Sequence, residues 1–133
     1  MEQNKNYVDE VIKTVKILRS PKGCPWDIKQ THSSIRRNMI EEAYEAVDAI
    51  DEGDIPNLRE ELGDVLLQVV LHSQIAKDNG EFYIEDIAKE LSDKLIHRHP
   101  HVFGKEHVKS AEDVVTNWDK LKKEEKTYRT SIL

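Results

Sequence analysis

The sequence predicts an all-α protein of about five helices, built around one long central helical hairpin. Three observations carry this expectation. Apolar residues recur at three- and four-residue steps through most of the chain. Five glycines and 6% aromatic residues are few for a sandwich or barrel. No segment alternates polar with apolar over the length of a strand. At 133 residues the chain suits a single domain, spanning 1–133, that is long enough to bury a real core.

The elements follow in order. Val8, Val11, Ile12, Val15 and Leu18 share one face of a first helix, Asn6 to Arg19. "SPKGCPWD" interrupts it with two prolines and a glycine, a loop in which Trp26 is expected to plug the core. Thr31 can cap a second helix running to about Asp51. "DEGD" is a turn, and Asp54 can cap a third helix that carries Pro56 in its first turn and ends near Gly80. Asp86 to His99 is a fourth, stopped by Pro100. After the irregular "HPHVFGKEHVK", Ser110 followed by Asp113 resembles a capping box and opens a fifth, to about Lys126.

Composition excludes several functions. A formal net charge of −6 argues against a general binder of nucleic-acid backbones. A nucleotide remains possible as substrate if a divalent cation accompanies it. Cys24 is the single cysteine, so neither an intrachain disulfide nor a thiolate cluster can form. The first twenty residues lack the apolar region of a signal peptide, and no run of about 18 apolar residues is present. These readings predict a cytoplasmic protein without a membrane anchor.

The informative feature is the carboxylates. On the second helix, Ile35, Met39, Ala43, Ala46, Val47 and Ile50 form the expected core stripe. Glu41 and Glu45 fall opposite it and Glu42 at its border, a pattern that a solvated face would also give. The third helix is apolar nearly all round, with Leu58, Leu62, Val65, Leu66, Val69 and Val70 on one side and Leu67, Leu71 and Ile75 on much of the other. Such a helix is buried in its own chain or in a subunit interface. One polar stripe runs through it: Glu61, Asp64, Gln68, His72.

Carboxylates inside a structure neutralise, pair or bind metal. Glu41 faces Glu45, and Glu60 faces Asp64, as like charges one turn apart, which local pairing does not relieve. Arg36, Arg37 and Arg59 offer a salt-bridge alternative. A hard divalent cation fits better, because Glu42 with Glu45, and Glu61 with Asp64, supply oxygen pairs from two antiparallel helices. Without a histidine at Glu-x-x-His spacing, the set favours Mg²⁺ or Mn²⁺ over iron or zinc. Mg²⁺ held by carboxylates commonly carries substrate phosphates, which points to phosphoanhydride chemistry. Gly63, between the acids, costs a helix roughly 1 kcal/mol against alanine and suggests a close helix approach.

"E-E-x-x-E" at Glu41, Glu42 and Glu45, followed by "E-x-x-D" at Glu61 and Asp64, resembles the signature of the MazG nucleotide pyrophosphohydrolases. "GCPWDIKQTHSSIR", "EELGDVLLQVVLHSQIA", "KLIHRHPHVFG" and "NWDKLKKEEK" extend the similarity over 18–126. The resemblance implies a MazG-like helical bundle assembled across a dimer or higher homo-oligomer. It implies an enzyme that hydrolyses nucleoside triphosphates between the α and β phosphates, to monophosphate and pyrophosphate.

By the same resemblance, Glu42, Glu45, Glu61 and Asp64 hold Mg²⁺, with Mn²⁺ as a substitute, and Glu41 orients or deprotonates water. Lys94 and Arg98 match phosphate-contacting positions, and Trp118 a nucleotide-contacting one. Each has a plainer reading: Glu90 can pair with Lys94 along the helix, and Trp118 fits a core stripe with Val114, Val115 and Leu121. His97, His99 and His101 read as a structural corner. Two departures stand out. Arg37 and Asn38 replace the proline and tyrosine that relatives often carry, and the chain stops at "TYRTSIL" where longer relatives continue. Alternative activities are dUTP or dCTP pyrophosphatase and phosphoribosyl-ATP pyrophosphohydrolase. An alternative of another class is a silent helical dimerisation module.

Overall fold

A computed structural model describes residues 5–132, with side chains through 126. The described residues form seven helices and no strand: α1 (Tyr7–Leu18), α2 (Pro25–Lys29), α3 (Arg36–Glu52), α4 (Ile55–Asp78), α5 (Ile84–His97), α6 (Pro100–Phe103) and α7 (Ala111–Ile132). The all-α expectation is met. The two helices beyond the expected five, α2 and α6, are short and lie in stretches read as irregular. Each begins at a proline, which tolerates the first helical position because that N–H needs no partner.

The chain divides into two compact units, 1–84 and 85–133. In the first, α3 and α4 form the central hairpin and α1 packs on α4. Gly53 closes the hairpin with a positive φ of 67°, and the Asp54 side chain accepts from Asn57 N–H at 3.2 Å to start α4. The core comprises Val15, Ile35, Val70, Leu71 and Ile75, with Val11, Ile12 and Ile84 packed against it.

The start of α3 differs from the expectation. The helix begins at Arg36 rather than near Thr31, because Thr31 and Ser34 bond to each other instead. Thr31 N–H donates to Ser34 Oγ at 2.8 Å and Ser34 N–H to Thr31 Oγ1 at 3.1 Å. That turn offers the backbone an alternative to helix. Trp26 also departs from its expected place and is 54% exposed. Its segment is fastened instead by Arg19, which reaches the carbonyls of Asp27 and Gln30 and binds Asp78 at the end of α4.

The second unit holds most of α5, with α6 and α7. Asp113 N–H donates to Ser110 Oγ at 3.2 Å, as the capping pattern predicts, and α7 runs six residues past the expected end.

Candidate metal centre

α3 meets α4 through a face other than the one its apolar pattern suggests. Ile35, Ala46 and Ala49 are buried, whereas Met39, Val47 and Ile50 are 42–59% exposed and Ala43 is exposed too. Of the expected core stripe Ile35 and Ala46 do face inward, while Met39, Ala43, Val47 and Ile50 do not and Ala49 takes their place. Short alanine side chains let the helices approach, and the same inward face carries Glu42, half-buried, into the hairpin. On α4 the polar stripe does lie inward: Gln68 is buried, and Glu61, Asp64 and His72 are half-buried.

The consequence is a convergence of charge. One ligand atom from each of Glu42, Glu45, Glu61 and Asp64 lies within 4.8 Å of all the others. Glu42 Oε2 and Glu61 Oε2 are buried with no hydrogen-bond partner. Shared hydrogen bonding with Glu45, burial and the charges of Glu45, Asp64 and Glu42 push the Glu61 carboxyl up to about 7. Burial and the neighbouring Glu45, Asp64 and Glu41 raise Glu42 as well. A carboxyl so displaced is one whose neighbours oppose its ionisation, and a hard cation removes that opposition. The donor set, all carboxylate oxygen from two rigid helices, fits a divalent cation.

The other expected site residues are placed differently. Glu41 is exposed and is not one of the four converging groups. In the second unit, Arg98 donates through its Nη2 to Glu125 Oε1 at 2.7 Å, and His97 lies 3.7 Å from the same carboxylate. Arg98, His97 and Lys94 together hold the Glu125 carboxyl below its ordinary range. Trp118 is half-buried, stands edge-on to His99 at 5.3 Å, and its Nε1 has no partner. His99 binds the Leu95 carbonyl, in keeping with a structural corner at 97–101.

Two findings depart from the sequence reading. Gly63 has open space around it, since an added Cβ would meet nothing within 4 Å. The close helix approach expected of it is not found among the described residues. Gly63→Ala should therefore raise stability by about 1 kcal/mol in urea unfolding of the isolated chain. A loss instead would place another chain against this position.

The second is a histidine pair. His32 Nδ1 lies 2.8 Å from His72 Nδ1, and His32 Nε2 lies 2.7 Å from Glu81 Oε1. Residues forty apart show no pairing signal in sequence. Burial and the adjacent His32 lower the His72 pKa from its usual 6.5. The unfolded chain then takes up that proton more readily, so this contribution to stability is full above pH 6.5 and falls as pH drops through the lowered value. Thermal melts between pH 7.5 and 5.5 should show the loss, and His72→Gln should diminish it.

Comparisons with known proteins point to one family. The family model described as the MazG nucleotide pyrophosphohydrolase domain matches residues 30–103. A Thermotoga maritima protein named nucleoside triphosphate pyrophosphohydrolase/pyrophosphatase MazG is 49% identical over 123 residues, 92% of this chain and 47% of its own length. An Escherichia coli nucleoside triphosphate pyrophosphohydrolase is 42% identical over 125 residues, 93% of this chain and 48% of its own. The Bacillus subtilis uncharacterized protein YabN is 53% identical over 119 residues, 90% of this chain and 24% of its own. The chain thus spans half or less of these relatives. The crystal structure of a mazG-related protein from Thermotoga maritima superposes with a TM-score of 0.68 at 28% identity, covering 88% of this chain and 97% of that one.

Proposed function

The chain belongs to the MazG nucleotide pyrophosphohydrolase domain family, and from that premise we propose that it hydrolyses (deoxy)nucleoside triphosphates between the α and β phosphates. The products are a nucleoside monophosphate and pyrophosphate, and the reaction depends on Mg²⁺, with Mn²⁺ able to replace it. One observation carries the reading. Four carboxylates from α3 and α4 converge within 4.8 Å, two of them with buried, unpartnered oxygens. Such a group is costly unless a cation sits among it.

In this proposal Glu42, Glu45, Glu61 and Asp64 hold the cation. When bound, it clamps phosphate oxygens, offsets charge on the leaving pyrophosphate and acidifies water. Glu41, next to the ligands, orients or deprotonates the attacking water. Arg98 and Lys94 bind phosphate, with Glu125 holding the Arg98 guanidinium until substrate arrives, and Trp118 contacts the nucleoside. The whole of 1–133 acts as one MazG-like domain. Its work is removal of surplus or damaged nucleotides in the cytoplasm, where those substrates reside. No helix among the described residues is long and apolar enough to cross a membrane.

The proposed partner is a second copy of the chain. Met39, Ile40, Ala43, Tyr44 and Val47 line a shallow apolar depression of about 340 Å³ on the outer face of α3. Leu62, Leu66 and Val69 of α4 are also 37–52% exposed. Contiguous apolar surface of this kind marks an interaction face, and a homodimer covers both patches by symmetry.

The test is pyrophosphate release from a panel of canonical and modified nucleoside triphosphates with and without Mg²⁺. Monophosphate plus pyrophosphate, only with metal, is the expected result, and the panel identifies the preferred base. Metal-independent inertness of a folded chain would favour the silent dimerisation module.

A further inference from the structure

The cation accounts for the orphaned oxygens of Glu42 and Glu61 but not for two further buried atoms without partners on the α4 polar stripe, Gln68 Oε1 and, one turn beyond it, His72 Nε2. Gln68 is 5% exposed, and its Oε1 is buried without a partner. It follows Asp64 by one helical turn on the α4 face that carries the acids. Moving one turn from Glu42 in the opposite chain direction, as the antiparallel hairpin requires, reaches Asn38 on α3, which is half-buried. A carboxamide layer therefore underlies the carboxylate layer. A buried acceptor left unsatisfied destabilises a fold, so Gln68 at this position calls for a donor that the described residues do not supply.

We propose that Gln68 is a positioning residue that accepts a hydrogen bond from the water shell of the cation held by Glu42, Glu45, Glu61 and Asp64. This deepens the functional reading above and rests on its cation site. The chemistry selects the partner. Mg²⁺ keeps several of its waters, and a water whose lone pair is given to a cation can only donate. A neutral carbonyl oxygen suits such a donor without adding a further like charge to four carboxylates. A phosphate oxygen, which only accepts, does not satisfy Gln68 Oε1. Fixing one water of the shell fixes where the remaining positions open, and thereby the approach of the triphosphate.

Gln68→Leu and Gln68→Met keep the side chain's bulk and remove the acceptor. Mn²⁺ titration followed by electron paramagnetic resonance should show affinity weakened about 10–100-fold in both, the range typical of lost outer-shell partners. The metal-free variants should melt no lower than the native chain, since a buried orphan has been removed. In steady state kcat should fall more than KM rises. A residue that serves only packing would move neither Mn²⁺ affinity nor the kcat-to-KM split. Unchanged affinity and kcat in both variants, with the native chain binding Mn²⁺ and Glu42→Gln not, would overturn the role of Gln68 alone. Failure of the native chain to bind Mn²⁺ would overturn the cation site and this inference with it.

Discussion

Glu61→Gln should abolish most pyrophosphate release while making the metal-free protein harder to melt. The two effects share one cause. A hydrogen bond shared with Glu45, burial and the charges of Glu45, Asp64 and Glu42 push the Glu61 carboxyl to about 7. An amide of the same shape ends that repulsion, so the empty fold gains stability. The same amide removes one anionic ligand from the cation. Charge stabilisation by a metal is worth several kcal/mol in the transition state, so kcat/KM should drop by about 10²–10³-fold. A variant that melts lower and keeps its activity would sink this account of the site.

The pH dependence gives an independent check. The folded pKa of Glu61 lies above the ordinary 4.5 of the unfolded chain. Its contribution to stability is present below pH 4.5 and is lost as pH rises through about 7. Metal-free native protein should weaken over that window, opposite in sign to the histidine pair, and Mg²⁺ at pH 8 should restore the loss. Glu61→Gln should flatten the window.

Val47→Glu should split the proposed homodimer into single chains. Val47 lies at 48% exposure in the apolar depression of α3, flanked by Met39, Ile40, Ala43 and Tyr44. In an isologous interface the substitution places two like charges on opposing copies of one surface and desolvates both. Light scattering should report the mass of one chain at concentrations where the native protein is larger, with an unchanged helical circular dichroism spectrum. Native protein already monodisperse as one chain would instead remove the second copy from the proposal. Hydrolysis retained by the separated chain would show that each copy holds a complete site.

Much of this was legible in the residues themselves. The helical class follows from three- and four-residue apolar spacing, and the hairpin from two long periodic segments joined by "DEGD" with Asp54 as cap. The pairing of Glu42 and Glu45 with Glu61 and Asp64 follows as well, because each pair sits at i,i+3 and an antiparallel turn brings the pairs level. These are local rules, and local geometry suffices to apply them.

What only the tertiary structure decided is which face of each helix meets which neighbour. Helical periodicity identifies the more apolar side of α3 but not what covers it. Here Ala46 and Ala49 pack inward while Met39, Val47 and Ile50 turn outward, so Glu42 is half-buried against Glu61 and Asp64 while Glu45 joins them from the exposed rim. The contact between His32 and His72, the buried grip of Arg19 on α2 and α4, and the orphaned Gln68 arise between segments distant in the chain. No spacing rule encodes them, because packing complementarity and desolvation act only once the helices have met.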